Sequence, residues 1–171
     1  KDDWKVDVFY MDFKNFFQWQ PDANGRPLVR VNGGKFRNVG IEAEYGRRLS
    51  DRLKWNVSGS YSNPRQKEMN ENYWKQAAPK LQFTTGIRYE SPTWEAGTSF
   101  SFVTKRLRNR DGGLNPNIAL WNAYVGYHFN KDATLRLDAR NLLDRHNVIT
   151  NGDYEYWGDP FTYELSYTQK F

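Results

Sequence analysis

The chain has 171 residues, 25 basic against 20 acidic side chains for a formal net charge of +5, and no cysteine. That length suits one ordinary domain, the missing thiols exclude disulfides and thiolate metal centres, and the modest, mixed charge is not the signature of a strong polyanion binder, so no nucleic-acid partner is expected. Aromatic residues make up 17% of the sequence although mean hydropathy is −0.92, a combination that suits strands with one ring-rich and one charged face. No run of 18 apolar residues is present, so no helix is expected to cross a membrane. The chain opens on Lys1-Asp2-Asp3 without a leader-like segment, close to a strand, and reads as a piece of something longer.

The first predicted strand covers residues 4–17. Val6, Val8 and Tyr10 share one parity and Phe9, Met11 and Phe13 the other, so both its faces are expected to be covered. Pro21-Asp22-Ala23-Asn24-Gly25 is turn chemistry. The chain is read as interrupted at Asn32-Gly33-Gly34, with the second strand at 36–49, where Ile41, Ala43 and Tyr45 alternate with Glu42 and Glu44. A third strand at 53–61 sets Leu53, Trp55, Val57 and Tyr61 against Lys54, Asn56, Ser58 and Ser60. After a polar segment at 62–79, the fourth strand (80–90) carries Leu81, Phe83, Ile87 and Tyr89 opposite Gln82, Thr84, Arg88 and Glu90. The fifth (94–106) sets Trp94, Ala96, Phe100 and Phe102 against Glu95, Gly97, Ser99 and Ser101.

A basic, glycine-rich stretch at 107–116 follows. The sixth strand aligns Ala119, Trp121, Ala123, Val125, Tyr127 and Phe129. The seventh alternates Leu135, Leu137 and Ala139 with Arg136, Asp138 and Arg140. The eighth, after a long link at 143–160, puts Phe161, Tyr163, Leu165, Tyr167 and Phe171 against Thr162, Glu164, Ser166 and Lys170. A period of two is the mark of strands with one apolar and one polar face. Long connections follow strands one, three, five and seven; connections of about three residues follow two, four and six, and such short links force antiparallel neighbours. All long loops then share one end of the sheet.

The better-patterned strands match the roughly 9–11 residues that a tilted strand needs to cross a bilayer. Apolar-out and polar-in alternation, aromatics near both ends, and short turns opposite long loops are together the pattern of a transmembrane antiparallel β-barrel. Trp55, Trp94 and Phe129 would lie at the short-turn interface; Tyr61, Phe102 and Phe161 would lie nearer the other. Glu42, Glu44, Arg88, Arg136, Asp138, Arg140 and Glu164 share the polar face, which suits a wet lumen or a polar plug, since so many charges cannot be packed dry without pairing. Gly40, Gly46, Gly86, Gly97 and Gly126 on that face would let a bulky interior element approach, or mark bends. Eight strands can close alone into a small barrel, or be the last eight of a larger wall.

Asn38-Val39-Gly40-Ile41-Glu42-Ala43-Glu44, Arg140-Asn141-Leu142-Leu143-Asp144 and the terminal run 161–171 resemble, in order and spacing, the C-terminal barrel segments of TonB-dependent outer-membrane receptors. The family usually has Phe where Leu143 stands. The resemblance implies that residues 1–171 are strands 15 to 22 of a 22-stranded all-β barrel in the outer membrane, long loops extracellular and short turns periplasmic, with the plug and earlier strands outside this sequence. It further implies uptake of a ferric siderophore, or of haem or another metal complex, driven through TonB-ExbB-ExbD, with Phe171 as the signal read by the barrel-assembly machinery. The alternatives are a self-contained eight-stranded barrel with a structural or adhesion role, a porin, or a soluble lipid-binding barrel.

Ligand contacts are expected from the long loops. Lys105, Arg106, Arg108 and Arg110 beside Gly112-Gly113 would attract an anionic siderophore by their field, or be a solvated loop, or meet lipopolysaccharide phosphate. Tyr73 and Trp74 offer rings for a planar ligand group or for loop closure; Tyr154 and Trp157 form a second ring cluster among acids. Glu42, Arg88, Arg136, Asp138 and Arg140 are expected to hold the plug. No catalytic set, metal site or cofactor is expected. The only histidines, His128 and His146, form no pair in the pattern, and haem ligation by His146 is the sole exception in view.

Overall fold

In the computed structural model, residues 2–20, 29–107, 113–149 and 156–170 are described. Every predicted strand is present. The strands are β1 (Asp2–Gln20), β2 (Val29–Arg48), β3 (Leu53–Ser62), β4 (Arg65–Lys67), β5 (Lys75–Gln76), β6 (Leu81–Glu90), β7 (Trp94–Val103), β8 (Arg106–Leu107), β9 (Leu114–Asn115), β10 (Ile118–His128), β11 (Ala133–Arg140) and β12 (Thr162–Gln169). The eight long ones form an antiparallel meander in the order β1-β2-β3-β6-β7-β10-β11-β12. β4 pairs with the upper part of β2 and β5 with β4, while β8 and β9 make a separate two-stranded sheet. Among the described residues β1 and β12 do not pair with each other, so both edges of the sheet are open.

The short turns are closed by side chains suited to the task. Ser50 Oγ accepts from the backbone N–H groups of Arg52 (3.3 Å) and Leu53 (3.1 Å). Ser91 Oγ accepts from Trp94 N–H at 2.9 Å, and Asn130 Oδ1 accepts from Asp132 N–H at 2.9 Å. Each local bond fixes a tight reversal, which in turn fixes the register of the strands it joins.

That register sorts the side chains. Trp4, Tyr45, Val57 and Thr85 follow one another across the sheet, as do Val8, Ile41, Tyr61 and Leu81. Phe100, Trp121 and Phe102, Ala119 do so further along, then Val125, Leu137 and Leu165. Partners directly opposite share a face, so the apolar residues form one continuous surface. That surface is bare: Val8 is 76% exposed, Trp4 75% and Tyr163 74%, while the buried apolar residues among those described are only Ala119, Ala133 and Val148. Contiguous apolar area on this scale marks a face that meets a membrane or another protein surface. Along the short-turn rim the rings interlock, Trp94 with Tyr127 (4.8 Å), Tyr127 with Phe129 (4.9 Å) and Tyr45 with Trp55 (5.5 Å), an aromatic girdle of the kind expected at a membrane interface.

The first hairpin departs from expectation. β1 and β2 have 19 and 20 residues, about twice what a bilayer crossing needs, and β2 runs through the Asn32-Gly33-Gly34 break. The two strands satisfy each other's backbone groups almost to the end, so no breaker acts there. The bare glycines are covered instead: a Cβ on Gly34 would lie 2.5 Å from the Phe16 ring, and one on Gly33 2.7 Å from Met69 Sδ. A bulge between Lys14 and Phe16, with Asn15 at φ 59°, absorbs the irregularity.

Candidate functional site

The polar face carries a node centred on Arg136. Its guanidinium forks onto Asp138, Nε–H to Oδ2 and Nη2–H to Oδ1, both at 2.8 Å. Nη1–H donates to Glu95 Oε1 at 3.0 Å, two strands away. The same cation lies 3.8 Å from the centre of the Tyr124 ring. Two glycines make this possible. A Cβ on Gly126 would meet Glu95 Cγ at 2.7 Å, and a Cβ on Gly97 would meet the Tyr124 ring at 2.5 Å. The space that the glycine row was expected to leave for an interior element is here filled by the wall's own side chains. Gly46 alone among that row has nothing within 4 Å.

Arg88 pairs with Glu90 at 2.5 Å and Lys54 reaches the same carboxylate at 3.5 Å; Arg140 and Glu164 stand 3.5 Å apart. These pairs are largely exposed, where ion pairs contribute little. Glu42 and Glu44 have no ion-pair partner among the described residues, for Lys5, directly across from Glu44, turns to Asp7 at 2.7 Å. The two glutamates border a hollow of about 300 Å³ floored by Ser58, Ser60, Gln82, Thr84 and Ser101. Small hydroxyl side chains leave room there, with Thr84 and Ser101 bonded to each other at 3.0 Å.

At the long-loop end, side chains tie one loop to the next. Gln76 Nε2 donates to the carbonyl of Lys105 at 2.9 Å, joining the β3–β6 connection to the β7–β10 connection. Arg106 donates to the carbonyls of Ile149 (3.0 Å) and Val148, joining the latter to the β11–β12 connection. Burial pushes the Arg106 guanidinium down from its ordinary pKa. Asn147, buried, then pairs with the backbone of Ala119 in both directions at 3.2 Å. Backbone bonds from Ile149 to Tyr156 (2.9 Å) and Gly158 to Asn147 (2.7 Å) close the last loop on itself.

Beneath these ties sits the Asn141-Leu142-Leu143-Asp144 segment. Asn141 is 2% exposed. Its amide donates to the carbonyls of Arg145 and Asp159, both at 3.0 Å, and accepts from Arg145 N–H at 3.2 Å. Asp144 Oδ1 accepts from Phe161 N–H at 2.9 Å. Both residues have positive φ, 51° and 46°, which Asn and Asp tolerate best among non-glycine residues. The segment fastens the start of β12 to the end of β11.

In the β3–β6 connection Lys75 sits between Glu68 and Glu71, 3.0 Å from the latter. Burial opposes the charge on Lys75, but hydrogen bonds and attraction from both carboxylates outweigh it and hold its pKa above the ordinary value. Burial likewise opposes charge on Glu71, while the Glu68 backbone N–H and the Lys75 ammonium hold it below the usual carboxylate range.

Of the sequence-predicted ligand residues, Tyr73 is 63% exposed at this end and Trp74 lies 5.3 Å beneath the Arg37 guanidinium. Lys105 is exposed. Arg106 is turned into the loop clamp. Trp157 meets His146 edge to face at 5.6 Å. Arg108, Arg110, Tyr154 and Phe171 lie outside the described residues. His128 bonds Thr134 at 2.9 Å at the short-turn end, so the two histidines occupy opposite ends of the sheet. Glu95, Tyr124, Gln76 and Asn147 were not singled out from the sequence; polar parity was the only signal for the first two, and the others had none.

The family described as TonB dependent receptor-like, beta-barrel matches residues 1–142. No curated protein matches the chain. Among solved structures, the ferric citrate transporter FecA in its unliganded form is similar at TM-score 0.79 and 22% identity, over 99% of this chain and 29% of that one. The siderophore receptor PiuA from Acinetobacter baumannii gives 0.80 and 15%, over 99% and 26%. The copper transporter OprC gives 0.74 and 16%, over 100% and 29%. The chain spans well under a third of each of these proteins, and likeness at such identities concerns the fold alone.

Proposed function

The chain belongs to the family of TonB-dependent receptor-like β-barrels, and on that premise we propose that it forms the last eight strands of a 22-stranded outer-membrane barrel that binds and imports a ferric siderophore or related scarce nutrient complex. The observation that carries this reading is the pairing of a bare apolar face with a charged one, topped at one end by long loops tied into a row. The open edges at β1 and β12 suit a wall continued by further strands.

Under this reading the protein makes and breaks no bonds. The hollow beside Glu42 and Glu44 and the charges of Arg88, Arg136, Asp138, Arg140 and Glu164 face an N-terminal plug. Tyr73, Trp74, Lys105, Arg108, Arg110, Tyr154 and Trp157 belong to the ligand mouth, and Arg106 keeps its loops together. Energy comes from the inner membrane through TonB-ExbB-ExbD acting on the plug, and Phe171 serves assembly. Ferric siderophore is favoured over haem because the exposed basic and aromatic loop groups suit an anionic, ring-bearing chelate, whereas His146 is already engaged with Trp157.

The test is uptake of radiolabelled ferric siderophores by iron-starved cells with and without the full-length receptor, repeated after the proton gradient is collapsed. Uptake that needs both receptor and gradient supports the reading. Gradient-independent uptake would point to a passive pore, and no change on deletion would overturn the proposal.

A further inference from the structure

The polar face carries a second charge pattern at its short-turn end. Arg48 stands directly opposite Lys54 across β2 and β3, and Lys54 directly opposite Arg88 across β3 and β6. Opposed positions share a face, so three cations form one row. Glu90 answers two of them, Arg88 at 2.5 Å and Lys54 at 3.5 Å. Arg48 is exposed and pairs with no carboxylate among the described residues, while Asp2 is taken by Arg47 at 3.4 Å. Like charges facing each other oppose strand pairing, so the stability of the sheet does not account for this row.

The adjoining row leaves space. Gly46, Asn56 and Gly86 are direct partners across the same three strands, and a Cβ on Gly46 would meet nothing within 4 Å. Gly46, Asn56 and the three cations border a hollow of about 530 Å³, within the roughly 300–1,000 Å³ of small-ligand sites. Asp3, across from Gly46 at the β1 edge, is the sole carboxylate in its lining. The order of charge along β2 adds a direction. Glu42, Glu44, Gly46 and Arg48 alternate on one face, acidic at mid-wall and basic at the rim. An anion is repelled at mid-wall and attracted at the rim, where a concave surface rich in one sign of charge concentrates counter-ions.

We propose that Arg48, Lys54 and Arg88, with the Asn56 amide beside them, form an exit-side site for a multiply charged chelate of the carboxylate class, held in the seam between this wall and the plug before release. The inference rests on the receptor reading above, under which the short turns are periplasmic. Guanidinium forks match carboxylates in pairs and the lysine adds a point charge. The row spans three strands, ~10 Å, which one carboxylate of a plug side chain cannot answer and a ligand with several carboxylates can. Glu42 and Glu44 would oppose its return toward the mouth.

The test places a thiol at the open position, Gly46→Cys, in the full-length receptor with other cysteines removed, purified in detergent. Its modification is timed with a sulfonate-bearing and a trimethylammonium-bearing methanethiosulfonate, each rate divided by that of free cysteine. In both reactions the thiolate sulfur forms a disulfide and a sulfinate leaves. The anionic reagent is expected to gain at least tenfold over the cationic one. Citrate should slow modification severalfold, and neither acetate nor the uncharged trimethyl ester of citrate should do so. Adding R48Q/K54Q/R88Q should abolish both the charge preference and the citrate protection. Should that variant not fold, R48Q alone, which breaks no ion pair, should reduce both. Equal rates for the two reagents, no protection by citrate, or protection by acetate equal to that by citrate would overturn the proposal. A thiol that neither reagent reaches would overturn it too, since the plug then fills the hollow. A receptor that imports nothing overturns the transport reading, whereas one that imports normally without citrate protection overturns the exit site alone.

Discussion

Replacing Asn141 with alanine removes three side-chain hydrogen bonds at once, those with Arg145 N–H, the Arg145 carbonyl and the Asp159 carbonyl. At about 1 kcal/mol each, and with a further ~1 kcal/mol for alanine at positive φ, the loss should be about 4 kcal/mol. Asn141→Gly relieves the backbone term and should cost ~1 kcal/mol less. Denaturation of the full-length barrel measures both; equal losses would show that the positive φ carries no strain. Arg136 poses a different question, since lysine keeps its charge but lacks the planar fork that grips Asp138 while reaching Glu95. Arg136→Lys should cost roughly 1–2 kcal/mol, and the penalty should shrink in an Asp138→Asn background. An unchanged penalty in that double-mutant cycle would show that the Asp138 contact is not what the fork provides.

The loop elements depend on a few long-range ties. With Arg106 replaced by alanine, the carbonyls of Val148 and Ile149 lose their donor, and amide exchange across 147–149 should quicken by roughly tenfold or more as local opening becomes easier. Unchanged exchange would mean that the backbone bonds from Ile149 and Gly158 suffice. The β3–β6 connection should respond to pH. Glu71 titrates lower in the folded state, so its contribution is complete above the ordinary carboxylate pKa and is lost as pH falls through the depressed value. Lys75, raised, contributes below its ordinary pKa and is lost only in strong alkali. The Trp74 environment, read as the fluorescence difference from Trp74→Phe, should hold from about pH 5 to 10 and change below about pH 4; a transition near neutrality would contradict the cluster. These ties mark the limit of what the sequence discloses. Strand parity repeats every two residues and so announced both faces and every short turn. A contact such as Arg106 to Val148 joins points 42 residues apart and leaves no periodic trace. The Gly33-Gly34 pair misled for a related reason, because glycine marks a break only when no neighbouring ring covers it, and Phe16 and Met69 arrive from outside the local window.

For the molecule as a whole, the two unsatisfied features are the open edges at β1 and β12 and the bare apolar face. They predict different behaviour and can be separated. The face alone would call for detergent, and a chain whose only need was a nonpolar surround would be monodisperse in micelles. The edges add rows of unpaired N–H and C=O groups inside a nonpolar layer, where each costs several kcal/mol. Detergent cannot satisfy those groups, since its tails neither donate nor accept. Residues 1–171 expressed alone should therefore associate edge to edge in micelles, and sedimentation should show a spread of oligomers, while the full-length receptor should sediment as one species. Eight strands have one other way out, which is to bring β12 around to β1 and close a small barrel. That closure would give a discrete monomer with heat-modifiable migration and slow exchange along β1 and β12. Its appearance would mean that the sheet curves tightly enough to finish itself, and the larger wall would lose its strongest physical argument.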